Sequence, residues 1–143
     1  MILPDVNVLI YAFRSDAPEH AVSKAFLESE IASERPFAVS RLALAALLRV
    51  TTNKRSQRSP STLSECFEFC RRLVDQPNCQ IVEPGEAHWP IFERLCLDTG
   101  TIGPRVTDAW YAALAIERGC EWITFDRDYA RFPGLRWRTP ARS

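Results

Sequence analysis

The strongest constraint on the fold is a series of short apolar runs separated by segments with helical periodicity. Each run has only three to five residues, and each is followed by a stretch whose apolar side chains recur every three or four positions. This alternation is typical of α/β proteins, in which helices cover both faces of a mostly parallel sheet. We therefore predict a three-layer α/β/α sandwich whose short central strands lie at 2–6, 37–39, 80–82 and 121–124.

Capping residues add predicted boundaries for the helices. Ser40 and Ser61 are predicted N-caps, and Gly100 and Gly119 are predicted to end two helices. Residues 125–130 suit a turn or short helix, and 135–137 a last edge strand. The predicted helices cover 7–13, 18–31, 41–51, 63–74, 86–97 and 106–118.

Length and composition indicate one globular domain without a membrane span. The chain has 143 residues, of which 46% are hydrophobic, so we expect a single domain over 1–143 with a core at about 2–138 and a basic C-terminal tail. Its 18 basic residues balance 18 acidic ones, so net charge selects no partner. The longest nearly uncharged stretch, 43–48, is far shorter than the ~20 residues of a membrane span, and no signal peptide is evident; a cytoplasmic location is expected.

Three aspartates are predicted to share one crevice. Parallel sheets bind ligands beyond the carboxyl ends of their strands, where Asp5 and Asp126 lie, and Asp108 begins an otherwise apolar helix. The helix dipole alone can account for Asp108, so capping or surface aspartates remain the alternative. Converging carboxylates repel one another, by about 4 kcal/mol per pair at ~4 Å and an effective dielectric near ~20. A hard divalent cation would relieve that repulsion and would suit phosphodiester hydrolysis.

Other acidic-pocket proteins match less well. Haloacid-dehalogenase-like phosphatases need a second aspartate two residues after the first, and position 7 is Asn. Receiver domains need a lysine beside the acidic pocket, but Lys24 and Lys54 fall in a helix and a polar loop.

Three motifs, in this order, resemble the PIN domain of VapC-type toxins from bacterial type II toxin-antitoxin pairs. They are LPDVNVLIYA at 3–12, VTDA at 106–109, and ITFDRDY at 123–129 followed by FPGL at 132–135. The resemblance extends from residue 2 to about residue 138. It implies a PIN-like fold and a metal-dependent endoribonuclease that cuts structured RNA of the tRNA or rRNA class. It also implies a cognate VapB-type antitoxin and a homodimer.

The resemblance assigns roles by position. Asp5, Asp108 and Asp126 match catalytic residues that bind Mg²⁺, for which Mn²⁺ can substitute. Thr124 matches a hydroxyl that supports the site, and Asn7 a polar neighbour of Asp5. For Asp128, metal binding, water orientation and solvation of the turn all remain open.

One position departs from the family pattern. The helix after the second strand usually carries a glutamate, and Ala46 stands there in this chain. This loss puts the binding of two metal ions in doubt. It also motivates a non-enzymatic alternative, a degenerate PIN domain that binds RNA or antitoxin with little or no cleavage.

Several basic residues are candidates for RNA contact. Arg105 precedes Asp108 in a loop with two glycines, and Arg49 lies one helical turn after Ala46. Both Arg49 and the loop that carries Lys54 and Arg55 can equally be solvated surface. The same two alternatives apply to the C-terminal arginines at 131, 136, 138 and 142. His88 and Trp89 are predicted to serve packing or an interface.

Overall fold

The computed structural model describes residues 1–140; position 142, one of the candidate RNA contacts, lies outside them. This part of the chain forms five strands, six α-helices and two 3₁₀ turns, at Gly103–Arg105 and Arg127–Arg131. The strands are β1 Ile2–Pro4, β2 Phe37–Val39, β3 Cys79–Ile81, β4 Glu121–Ile123 and β5 Trp137–Arg138. The helices are α1 Val6–Phe13, α2 His20–Ala32, α3 Arg41–Thr51, α4 Leu63–Val74, α5 His88–Thr99 and α6 Val106–Arg118.

Every paired strand is parallel, as the sequence predicts. β4 lies between β1 and β5, with Ile2 opposite Glu121 and Trp122 opposite Trp137. β2 pairs with β3 in a second ladder, and β1 lies beside β2, so the two ladders adjoin. Helices α5 and α6 pack together, and α1 contacts both α2 and α3. The predicted α/β/α architecture is therefore confirmed, and the carboxyl ends of β1 and β4 meet at one edge.

Buried side chains from strands and helices form one hydrophobic cluster. Trp122, Phe37 and Leu3 are fully enclosed within it. His88 is also buried, and its Nε2 lies 2.9 Å from the carbonyl oxygen of Trp110, so it packs the core as predicted. Within residues 1–140, no helix is long and apolar enough to cross a membrane.

One predicted cap is wrong. Thr62, not Ser61, caps α4, because the Thr62 hydroxyl accepts from the backbone of Glu65 while the Glu65 carboxylate accepts from the backbone of Thr62. Ser61 serves another purpose, since its hydroxyl accepts a hydrogen bond from Arg14. Ser40 begins α3 without a side-chain capping bond. Other predicted ends differ by one or two residues, as is usual for helix and strand ends.

Candidate functional site

Asp5 links the end of β1 to the start of α1. Its backbone N–H donates to the carbonyl of Ile123 at 2.8 Å, which ties it to β4. As the N-cap of α1, its Oδ1 accepts from the backbone of Val6 at 2.6 Å. The side chain is nearly enclosed, and burial raises its pKa to about 6, with the charges of Asp108 and Asp126 adding to the increase.

Thr124 and Asn7 hold Asp5 from the β4 side. The Thr124 hydroxyl donates to Oδ2 of Asp5 at 2.6 Å, and the Asn7 amide lies 3.3 Å from both that oxygen and the Thr124 hydroxyl. Thr124 also accepts from the backbone of Asp126 at 3.0 Å. The structure thus places both residues where the sequence predicts support for the site.

Asp108 and Asp126 approach the crevice from two further elements. Asp108 lies in the first turn of α6, and Asp126 caps the 3₁₀ turn after β4 by accepting from the backbone of Asp128 at 2.9 Å. Burial, together with the nearby charge of Asp126, raises the pKa of Asp108. Asp128 is more exposed and points its carboxylate at an arginine rather than at Asp5.

Arg105 is the cation among these acids. Its Nη2 lies 2.6 Å from Oδ2 of Asp128, and its Nη1 lies 3.7 Å from Asp108 and 3.9 Å from Asp126. The 3₁₀ turn Gly103–Arg105 leads directly into α6 and so delivers this side chain. Sequence analysis predicted an RNA contact here; the structure shows contact with carboxylates.

Two further residues contact Asp108, and the sequence analysis did not predict these contacts. The Tyr129 hydroxyl donates to Oδ1 of Asp108 at 3.3 Å, and Arg131 Nη2 lies 3.9 Å from Oδ2. Among the described residues, Nε and Nη2 of Arg131 have no hydrogen-bond partner although both atoms are buried. The ITFDRDY motif contains Tyr129, but only the turn geometry shows that it faces Asp108.

Ala46 and Arg49 share a face of α3. Ala46 is half-buried between the buried Ala43 and Leu47, and Arg49 is exposed one turn later. Burial and the charge of Asp5 raise the pKa of Tyr111, and Arg49 acts on the same group in the opposite direction. Arg49 is therefore near enough to Tyr111 for its charge to act there, and the predicted place of Ala46 beside the acids stays a prediction.

Lys54 and Arg55 are exposed on a loop whose C-terminal end is bound by Arg14. Buried Arg14, at the end of α1, donates to the carbonyl of Ser59 at 2.6 Å and to the hydroxyl of Ser61 at 2.9 Å. Asp16 accepts two further bonds from the same guanidinium. The basic loop is therefore ordered without using its own charged side chains.

Arg136, just before the last strand, and Arg138, within it, make other contacts. Arg136 donates to the carbonyl of Gly119 at 2.9 Å. Arg138 donates to Glu121 at 2.9 Å. Glu121 is the first residue of β4, and Thr124 follows the other end of that strand. Neither contact reaches the acidic crevice.

The acids suit a hard divalent cation by their chemistry. Carboxylate oxygens are the ligands that Mg²⁺ and Mn²⁺ prefer, and a guanidinium already lies within 4 Å of two of them. Within residues 1–140, however, no three His, Cys, Asp or Glu side chains are close enough to form a ready-made metal-binding group. The arrangement is that of acids collected around an arginine, which a cation would have to displace.

Comparisons with known proteins agree with the motifs. The PIN domain profile matches residues 2–135. The "VapC ribonuclease Mb2897" of Mycobacterium bovis is 37% identical over 140 residues, covering 98% of this chain and 95% of that protein. "Ribonuclease VapC25" of Mycobacterium tuberculosis is 36% identical over 136 residues, covering 95% and 96%. The fold matches VapBC2 from Rickettsia felis, solved with a DNA fragment of its promoter, with a TM-score of 0.71 and 19% identity over 97% of this chain and 98% of that one. The chain therefore belongs to the VapC family of PIN-domain proteins.

Proposed function

We propose that this chain is a Mg²⁺-dependent endoribonuclease and the toxin of a bacterial type II toxin-antitoxin pair. The proposed substrate is structured RNA of the tRNA or rRNA class. The observation that carries this proposal is that Asp5 follows β1, Asp126 follows β4 and Asp108 lies in the first turn of α6, near enough for the charges of Asp108 and Asp126 to raise the pKa of Asp5. Full-length similarity to proteins named VapC ribonucleases supports the activity.

The three acids have one shared part in the proposed reaction, which is to hold the cation. A bound Mg²⁺ or Mn²⁺ would neutralise phosphate charge and lower the pKa of an attacking water. Asp5, Asp108 and Asp126 would hold it. Thr124 and Asn7 keep Asp5 oriented, and Tyr129 does the same for Asp108. Asp5 must lose its proton before it can bind a cation, which its raised pKa delays until near neutral pH.

RNA binding is proposed for the exposed Arg49 on α3 and for Lys54 and Arg55 on the loop that follows it. Arg49, Lys54 and Arg55 form no ion pair with any residue in the described part of the chain, so their charges are available to phosphates. Arg14 holds the loop that carries two of them.

The proposal includes a VapB-type antitoxin, a homodimer and a cytoplasmic location. Solved VapBC complexes contain a toxin of this fold together with its partner. Several large apolar side chains are exposed, among them Trp89, Leu97 and Ile102, and they would be available to such partners.

A second candidate is a degenerate PIN domain that binds RNA or antitoxin with little or no cleavage. The methyl group of Ala46 carries this alternative, because it cannot supply the carboxylate found there in the family. Three acids remain in the crevice, and one Mg²⁺ with several waters needs no more than that. We therefore favour the enzyme.

The first prediction tests cleavage itself. The purified chain with Mg²⁺ should cut RNA internally and leave 5′-phosphate and 3′-hydroxyl ends. Asp108→Asn should lower the rate by about 100-fold or more, because it removes an anionic ligand while keeping the side-chain shape. Asp98→Asn, at an exposed position on α5, should leave the rate unchanged. Cleavage that persists in EDTA would overturn the metal mechanism, and an intact, folded chain that never cuts would favour the degenerate alternative.

A further inference from the structure

One guanidinium spans three carboxylates that come from two separate elements. Arg105 contacts Asp108 at the start of α6, and Asp126 and Asp128 on the turn after β4. Its shortest contact, 2.6 Å, is with Asp128; the contacts with Asp108 and Asp126 are more than 1 Å longer. The arginine is thus held mainly by Asp128 and extends over the two carboxylates that the proposed function gives to the metal.

The segment that carries Arg105 is exposed to solvent. Its side chain is 45% exposed and Ile102, just before the turn, is 80% exposed. Gly100 and Gly103 adopt φ values of 65° and 63°, and no heavy atom lies within 4 Å of where a Cβ would stand at either position. Within the described residues, the contacts of the Arg105 guanidinium are those with the three carboxylates, and space for a movement of the turn is open around both glycines.

Arg131 makes a useful contrast. Its guanidinium lies over the Phe132 ring at 4.8 Å, and two of its nitrogens are buried. It touches Asp108 from the protein side, whereas Arg105 touches it from the exposed turn. Release of Arg105 would leave Asp108 with a fixed positive neighbour.

We propose that Arg105 is an internal counter-ion that competes with the divalent cation for Asp108 and Asp126, and that Asp128 is its anchor rather than a metal ligand. The inference rests on the proposed metal site. A cation at the same oxygens would repel the guanidinium, so binding of one favours departure of the other, by the same factor in each direction. The released side chain lies beside the crevice, where an RNA phosphate can replace the lost carboxylates.

Mn²⁺ titration without RNA tests this proposal. Affinity is measured by calorimetry and by the rise in melting temperature, for the wild type and for Arg105→Gln, Asp128→Asn and their double variant. Arg105→Gln should bind Mn²⁺ about fivefold more tightly, a modest factor because the arginine contacts are partly exposed. Asp128→Asn should also tighten binding, since it releases the arginine, and the double variant should equal Arg105→Gln. In EDTA, Arg105→Gln should melt at a lower temperature than the wild type, because the acids lose their counter-ion.

Arg138→Gln is the matched control. Its side chain has nearly the same exposure as Arg105, at 43%, and forms one carboxylate pair at the other end of β4. This variant should bind Mn²⁺ like the wild type. Arg105→Lys, which keeps the charge but shortens the reach, should give an intermediate affinity.

Three results would overturn the proposal. Unchanged or weaker Mn²⁺ binding by Arg105→Gln would show that no competition exists. Weaker binding by the double variant than by Arg105→Gln would make Asp128 a ligand, because the arginine is absent from both. In both cases a loss of binding in Asp108→Asn would leave the proposed metal site intact. If no variant, nor the wild type, binds Mn²⁺, the metal site of the proposed function fails together with this inference.

Discussion

Asp5 combines close hydrogen bonding with a pKa raised from 3.8 to about 6, and this predicts an unusual pH dependence for the metal-free protein. Between those two values the folded protein keeps a proton that the unfolded chain has released. The free energy of unfolding should therefore fall as the pH rises through this window, by up to about 3 kcal/mol. Urea unfolding in EDTA at pH 4.5 and pH 7 measures the change.

Two variants isolate the contribution of Asp5. Asp5→Asn does not titrate, so its stability relative to the wild type should increase from the acidic to the neutral pH. Asp98→Asn should keep the wild-type dependence. If the Asp5→Asn and wild-type curves stay parallel, the burial of Asp5 does not control this titration.

At the scale of single residues, sequence analysis located the acids and the partners of Asp5, but not the partners of Asp108. Asp5 and Asp126 follow strands, and strand ends are predictable from short apolar runs. The contacts of Tyr129 and Arg131 with Asp108 depend on the rotation of a 3₁₀ turn, which no sequence period encodes. Arg105 was predicted as a loop cation, but its contacts with three acids depend on how the Gly103–Arg105 turn is placed.

Helix α3 carries a prediction at the scale of an element. Ala46→Glu should tighten Mn²⁺ binding and raise RNA cleavage, because it restores the missing carboxylate on the face that Arg49 shares. In EDTA the same change should lower the melting temperature through repulsion with Asp5. The informative quantity is the difference in melting temperature between EDTA and Mn²⁺, which should widen.

Ala45→Glu serves as the matched control for α3. Ala45 is the adjacent alanine but is exposed, about 100° around the helix from Ala46. It should change neither metal binding nor cleavage. Equal effects of the two substitutions would mean that added negative charge, rather than a ligand position, explains the result.

Elements were easier to predict than their ends. The spacing of apolar residues and the capping residues predicted each helix, because a helix that buries one face carries apolar residues every three or four positions. The short apolar runs predicted parallel strands, because these are buried on both faces. The cap of α4 was misplaced because Ser61 and Thr62 are both good capping residues, and only Thr62 has an acid three positions later. Strand β5 has just two residues, too few for any alternation to show.

The whole molecule is predicted to exist with a partner. The cluster of carboxylates attracts basic groups, so a small antitoxin that presents a basic side chain should block the crevice. Purified from its native host, the chain should come with such a protein and should not cut RNA until the partner is removed by denaturation and refolding. Light scattering of the freed chain should give the mass of two 16.3-kDa copies. A solitary, monomeric chain that is harmless when expressed alone would contradict both expectations.

Helix α1 fixes the distance between the acids and the basic loop. It begins beside Asp5 and ends beside Arg14, so eight residues, about 12 Å of rigid rod, separate the acids from the clamp under the basic loop. Under the proposed function, the length of α1 sets the distance along an RNA strand between the cleaved bond and the phosphates that the basic loop binds. One inserted residue would rotate Arg14 by about 100° away from Ser59 and Ser61. The length of α1 would then be as much a determinant of the cut position as any side chain that touches RNA.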